Sequence, residues 1–456
     1  MMLKRTTLRL LGALALGGVV MGSAQLAKAD VFTRELERAL LASEQIKASH
    51  KAYLSAREEL VIAHAGSEWS SSMTLDQTRS NQAVKGDEFS RSDSRNLTLQ
   101  VKKKLYDGGV SSAQETVALL QLDLAMNQVA MTEENVLLAA VQAYTGLSSA
   151  RDRLRISTAN LARLDEHLRA ATLKLEIGES SATEFSGTKA RHARAMADRI
   201  QSENNLATAE ATYISLIGTP PVTMNMPAIP ANLPLTTAAA AKSALDHKPG
   251  HHISYLTERI TRKTMDVLLA QVRPNLDLTL SGKTTDATSN LMDKETASAN
   301  ITFSMPLYPS TSVFAKSRGA AADHQKSLHD LSENRRTTVL TAENAFRSYQ
   351  AATAVINAYE AELNAAAAVR DGTIKEVKFG QKSVLDQLDA EQDVVNAQLN
   401  LLVARHDQVI SAYTLLSASG LLTPSGLALT GQGTPAEAAP IDNPIVGPFP
   451  LLRYPE

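Results

Sequence analysis

Apolar side chains fall on every second residue in four short stretches of the chain. In the first, Trp69, Met73 and Leu75 alternate in step with Ser71. In the second, Leu97, Leu99, Val101 and Leu105 do so with Lys103. Leu276, Leu278 and Leu280 alternate with Asp277, Thr279 and Ser281, and Ile301, Phe303, Met305 and Leu307 with Asn300, Thr302 and Ser304. This pattern predicts strands with one apolar and one polar face, around 68–76, 97–105, 276–281 and 300–307. The polar stretches Gln77–Asp93 and Gly282–Ala297 read as loops. From Ser111 to Glu176 there is no proline, and leucine recurs every seven residues at Leu147, Leu154, Leu161, Leu168 and Leu175. Small residues such as Ala150, Ser157 and Ala171 lie between. A seven-residue repeat specifies a supercoiled helical seam, and a helix of this length runs about 100 Å. Residues 33–65 and Ala182–Ile217 read as helices of about half that length.

The pattern occurs twice. Gly178 and Gly218 map onto Gly380 and Gly420 with an offset of 202 residues. The same offset carries Leu105-Tyr106 onto Leu307-Tyr308, Leu99 onto Ile301, Val101 onto Phe303, and Leu147, Leu154 and Leu161 onto Tyr349, Ile356 and Leu363. The expected organisation is therefore a first unit at 30–217, a linker at 218–248, a second unit at 249–420 and a proline-rich tail at 421–456. Each unit reads as helix, two strands, very long helix, turn and helix. Five prolines between Pro220 and Pro234 make the linker irregular before a short alanine-rich helix near Thr237–His247, and the last 25 or so residues are expected to lack a fixed fold.

The N-terminus adds a compartment. Lys4, Arg5 and Arg9 precede an apolar run from Leu10 to Val20, and Ala27-Lys28-Ala29 stands before Asp30. This is the form of a secretory signal segment, 1–29, too short to span a bilayer. Losing its four basic residues takes the net charge from −2 to −6. Aromatics are only 4% of the 456 residues, so the 44% hydrophobic share is mostly alanine and leucine, which suits closely packed helices. There is no basic block, so no nucleic-acid partner is expected. Cysteine is absent, which excludes disulfides, thiolate metal sites and a cysteine nucleophile. No later stretch could form a helical membrane span, so any crossing must be made by strands closed into a barrel. Four strands are too few to close, and several chains must contribute.

Several motifs carry a resemblance. They are the strand-to-helix turn Leu105-Tyr106-Asp107-Gly108-Gly109, the helix-to-strand junction Pro274-Asn275-Leu276-Asp277-Leu278, and two helical turns. The turns are Leu175-Glu176-Ile177-Gly178 before Thr183-Glu184, and Val377-Lys378-Phe379-Gly380 before Val384-Leu385-Asp386-Gln387-Leu388-Asp389-Ala390. In order, spacing and duplication the sequence resembles the TolC family of outer-membrane efflux ducts over nearly all of the mature chain. The first helix-to-strand junction, His64-Ala65-Gly66-Ser67, lacks the family's proline, and Tyr308-Pro309-Ser310 stands in place of its second Gly-Gly turn. The resemblance implies a mixed α and β fold: a homotrimer with a twelve-stranded transmembrane β-barrel above a long periplasmic α-helical barrel. An equatorial belt would be built from 218–248 and the C-terminal segment. It implies an exit duct for tripartite efflux or type I secretion, set in outer-membrane lipid, with a periplasmic adaptor and an inner-membrane transporter as partners.

No catalytic constellation and no cofactor motif is present. His247, His251 and His252 lack carboxylates at ligand spacing, so no metal site is expected. Lys382 and Asp386 stand four residues apart and Asp386 and Asp389 three, a spacing that can put all three on one helical face. By resemblance, Asp386 and Asp389 line a constricted periplasmic entrance, and links involving Thr183, Glu184, Val377 and Lys382 hold it closed. Val377 stands where the family has an aromatic and Lys382 where it has an arginine. The competing reading is a periplasmic coiled-coil rod or adaptor with small hairpins and no barrel.

Overall fold

The computed structural model describes residues 23–82, 90–221, 224–287, 294–307 and 311–429. Most of the expected signal segment, the Tyr308-Pro309-Ser310 turn and the chain from Thr430 onward lie outside them. In order, the elements are α1 (Ser23–Ala42), α2 (Glu44–Ala65), β1 (Ser70–Gln82), β2 (Ser90–Tyr106), α3 (Val110–Glu176), α4 (Ala182–Ile217), α5 (Thr237–His247), α6 (Pro249–Ala270), β3 (Asn275–Ala287), β4 (Lys294–Ser304), α7 (Thr311–Lys378) and α8 (Val384–Ala418). The protein is mostly helical, with one four-stranded antiparallel sheet. Helices α3 and α7 hold 67 and 68 residues, about 100 Å each, and end 202 residues apart. No described helix is long and apolar enough to cross a membrane.

Two of the expected elements take another form. The helix foreseen over 33–65 is broken at Ser43, which leaves helical geometry and accepts a hydrogen bond from the Ile46 amide at 3.4 Å. Serine before a glutamate is a helix-start signal, and here it acts inside an otherwise continuous pattern. The stretches read as loops are largely strand: β1 runs to Gln82 and β2 starts at Ser90, paired from Gln82↔Ser90 to Ser70↔Lys102. Past Leu75 and Leu97 both faces become polar, so alternation of side chains fades while the backbone ladder continues.

The strands lie in chain order, β1-β2-β3-β4, two hairpins side by side, with β1 and β4 at the edges among the described residues. Register brings Met73 opposite Leu99, Leu75 opposite Leu97, Val101 opposite Leu280, and Leu278 opposite Ile301. These apolar side chains share one face, and it is bare: Met73 is 70% exposed and Phe303 66%. At one limit of the face Lys103 lies over the Trp69 ring, 5.1 Å from its centroid, and at the other Arg79 pairs with Asp93 at 2.8 Å. Polar side chains meet on the opposite face, where Ser281 and Ser298 hydroxyls are 2.8 Å apart and Thr285 donates to Asn96 at 2.8 Å.

The main core lies midway along α3, where α4 and α8 end. Phe32 and Leu36 of α1, Leu137, Tyr144 and Leu147 of α3, Tyr213 and Ile217 of α4, and Tyr413 and Leu416 of α8 form one cluster. Phe32 meets Tyr144 edge-on at 5.0 Å. Met224, Met226 and Leu233 of the linker pack onto this cluster together with Leu422 and Leu429. Residues 421–429, assigned to the tail, are thus part of the core in their apolar positions. Alanines let α5 approach α7 closely: Ala240 and Ala244 meet Ala342 and Ala345. Lys248, between α5 and α6, donates to Glu134 of α3 and to the Ser417 carbonyl of α8. Gly420 ends this region with φ +70°, and a β-carbon there would lie 2.6 Å from the His247 and Lys248 backbone. Only glycine fits such a contact.

Candidate functional site

At the far end from the sheet, two helical hairpins turn in the same way. Gly178 and Gly380 follow α3 and α7 with φ of +78° and +74°. In the first turn Glu179 N bonds Lys174 O at 2.8 Å and Gly178 N bonds Leu175 O at 3.2 Å. In the second, Gln381 N bonds Glu376 O at 2.8 Å and Gly380 N bonds Val377 O at 3.0 Å. This is the Schellman closure of a helix C-terminus. Three residues after each glycine a serine caps the next helix: Ser181 accepts from Glu184 N at 3.1 Å and Ser383 from Asp386 N at 3.2 Å.

The cap decides where the charges go. Ser383 donates back to Asp386 through its hydroxyl at 2.7 Å and its backbone N–H at 2.9 Å, completing a capping box. These bonds hold the Asp386 carboxyl below the usual aspartate range, with Lys382 a lesser contributor. Lys382 lies in the turn before the helix starts, so the single helical face expected for Lys382, Asp386 and Asp389 does not form. Its ammonium bonds Glu376 Oε2 at 2.9 Å, which raises it above the usual lysine value. Asp389, 64% exposed, instead receives Arg191 Nη2 of α4 at 2.6 Å. Thr183 is exposed in the first turn of α4, Glu184 accepts from Ser180 Oγ at 3.0 Å, and Val377 is half-buried at the end of α7. Within one protomer, Glu184 and Lys382 are therefore bonded inside their own hairpins.

Arg191 is the residue sequence reading missed. It stands 198 residues from Asp389, and no local spacing relates them. Behind it, Leu388 packs with Leu161, Leu164 and Ala195, and Gly187 of α4 faces Leu385. Glu391 of α8 takes hydrogen bonds from His167 Nε2 at 3.1 Å and Gln387 at 2.9 Å. Burial pushes its carboxyl up, but those bonds prevail and hold it below the usual glutamate range. No group of three or more His, Cys, Asp or Glu that could hold a metal occurs among the described residues. His251 contacts Asn334 at 3.1 Å and His252 the Asp246 carbonyl at 3.0 Å, so that run serves local packing.

The family model "Outer membrane efflux protein" matches residues 36–219 and 257–421. The outer membrane efflux protein BepC of Brucella suis is 28% identical over 73% of this chain and 73% of its own length. The alkaline protease secretion protein AprF of Pseudomonas aeruginosa is 26% identical over 74% of this chain and 72% of its own. The crystal structure of the outer membrane protein VceC of Vibrio cholerae superposes with a TM-score of 0.75 at 16% identity, covering 86% of this chain and 96% of that one. With two matched halves, a sheet bare on its apolar face and paired 100 Å helices, the chain belongs to the outer membrane efflux protein family, the TolC-like proteins of the outer membrane that extend into the periplasm.

Proposed function

We propose that three copies of this chain form a passive exit duct for efflux or type I secretion, with a gated periplasmic entrance. The observation that carries it is the sheet: four strands, two unpaired edges, one bare apolar face and one polar face. Unpaired backbone is not tolerated in hydrocarbon, so the β1 edge of one protomer pairs with the β4 edge of the next, and three sheets close a barrel of twelve strands. The apolar patch supports this. It covers Met73 and Leu75 on β1 but Ile301 and Phe303 on β4, and register sets Met73 level with Ala297. A patch oblique to its strands becomes a level band when strands tilt about 35–45°. The twelve long helices and helix pairs continue the channel into the periplasm.

In this reading Asp386 and Asp389 recur as threefold rings at the narrow entrance, Arg191 supplies the closing contact through Asp389, and Thr183, Glu184, Val377 and Lys382 lie around them. A periplasmic adaptor contacts the tip hairpins by helical packing, and an inner-membrane transporter supplies the driving force. The segment 1–29 is removed on export. Crosslinking of detergent-extracted protein tests the assembly: a ladder ending at three subunits is expected, and a stable water-soluble monomer would refute it.

A further inference from the structure

The polar face of the sheet is unevenly charged. Among its described side chains six are charged: Asp76, Lys102, Lys104, Asp277, Lys283 and Lys294. Cross-strand register sorts them. Lys104 stands opposite Asp277, and Asp76 lies in the row of Asn96, Thr285 and Lys294. Each acid therefore shares its row with a lysine. Lys102 lies instead in the row Ser70, Thr279, Asn300, and Lys283 in the row Thr74, Thr98, Thr296. Both are exposed, and neither has an acid in its row. Among the described residues this face carries a net charge of +2 per protomer. Pairing of the strands does not call for these lysines, since serine, threonine and asparagine serve every cross-strand position in their two rows.

We propose that the barrel lumen favours anionic cargo, with Lys102 and Lys283 as the selecting residues. This rests on the trimeric duct reading, in which the polar face turns inward. Three copies then set two rings of three lysines, four residues apart along β3 and so about 13 Å along the strand. Low-dielectric walls focus the field of such rings, and lysine rings in a pore draw anions. The sign is opposite to that of the aspartates at the tip, where Asp386 and Asp389 discourage anions from entering unless the entrance is opened. Cargo rich in carboxylates is thus retarded at the entrance when the duct is closed and drawn forward in the barrel once it opens.

Planar bilayers test this, in an Asp386→Asn, Asp389→Asn background that removes the opposing charge at the tip. Reversal potentials in a KCl gradient read the preference for chloride over potassium. Adding polyglutamate on the barrel side reads the interaction with a polymeric anion. Lys102→Glu with Lys283→Glu should lower the chloride-to-potassium ratio roughly 3- to 10-fold and weaken polyglutamate block by about tenfold. Lys102→Gln with Lys283→Gln removes charge without reversing it and should give about half the logarithmic shift, so the inference stands or falls even where the glutamates impair assembly. Loss of chloride preference without loss of polyglutamate block would restrict the site to small anions. Trimers that conduct normally with both readouts unchanged would overturn the inference and leave the duct intact. Absence of any conductance in the unsubstituted protein would instead defeat the duct reading itself.

Discussion

Arg191 of α4 reaches Asp389 of α8 at 2.6 Å, and this ion pair joins the first helical hairpin of the chain to the second at their shared tip. One turn nearer the end, Gly187 leaves room for Leu385, since a β-carbon there would approach its Cδ2 to 3.1 Å. The two contacts fix how α4 and α8 sit against each other at the proposed entrance of the duct. Arg191 is 31% exposed and Asp389 64%, so a single pair contributes little, about 0.5 kcal/mol. In the proposed trimer threefold symmetry changes the weight of it, because opening would break three pairs together. Arg191→Gln should raise single-channel conductance or open probability roughly tenfold, as three pairs of about 0.5 kcal/mol imply. Trimer yield should be unaffected. Unchanged conductance would make the pair an ordinary surface contact.

The carboxylates and the lysine should separate in function. Asparagine at 386 keeps an oxygen that can accept at the cap while removing charge, so Asp386→Asn with Asp389→Asn isolates the electrostatic role from the helix-capping one. Cation preference and block by trivalent cations should fall together in planar bilayers. Lys382 is bonded to Glu376 in its own hairpin, not to the neighbouring one. Lys382→Ala should therefore expose a further carboxylate and strengthen cation preference, with little change in conductance. A large conductance rise would mean that Lys382 ties neighbouring protomers together.

What the sequence made legible follows from how local each signal is. Gly178, Gly218, Gly380 and Gly420 stand out because each ends a helix at positive φ, and the 202-residue offset between them shows in residue identity alone. Strand parity at Met73, Leu99, Leu278 and Ile301 was legible for the same reason, since one apolar face leaves a period of two. The ends of the strands were not, because beyond Leu75 neither face is apolar while the hydrogen-bonded ladder goes on. The break at Ser43 was hidden by good helix formers on either side. At the tip, spacing relates Asp386 to Asp389 and only the resemblance gives them an expected place, while the capping role of Asp386 depends on Ser383 and the partner of Asp389 comes from another helix. Tertiary pairs such as Arg191 with Asp389, or His167 with Glu391, leave no mark on local sequence.

Glu133 should make stability fall as pH rises. Its side chain is on α3 between Val129 and Leu137, it is 5% exposed, and Oε1 has no hydrogen-bond partner. Burial pushes the carboxyl up to about 7. Between the ordinary glutamate value and about 7 the folded chain holds a proton that the unfolded chain has released, so unfolding gains with each step in pH. The full difference is on the order of 3 kcal/mol per chain. Glu133→Gln should raise the melting temperature of detergent-solubilised protein at pH 8 and leave it nearly unchanged at pH 5. Glu391 acts in a separate window: its carboxyl is held low, so its contribution is complete above the ordinary glutamate value and is lost as pH falls through its lower folded value. Equal effects of Glu133→Gln at both pH values would show that the residue is ionised in the folded protein.

The folded core reaches into the segment that its prolines mark as a tail. Leu422 is 1% exposed and Leu429 9%, both in the cluster with Phe32, Tyr213 and Tyr413. The intervening residues form a closed turn: Gly426 N bonds Thr423 Oγ1 at 2.9 Å and Leu429 N bonds Pro424 O at 2.9 Å. Asn232 of the linker donates to the Gly426 carbonyl at 3.4 Å, so the turn is held from both sides. Removing the chain after Gly420 strips Leu422 and Leu429 from this core and exposes the aromatic side chains beneath them. Leu422→Ala alone should cost about 3 kcal/mol, in the range for a fully buried leucine. Ending the chain after Gly431 keeps every one of these contacts. Trimer yield in detergent should therefore be unchanged on truncation after Gly431, lowered by Leu422→Ala and abolished by truncation after Gly420. Full trimer yield from the shorter chain would show that the α1, α4 and α8 aromatics close the core without the turn.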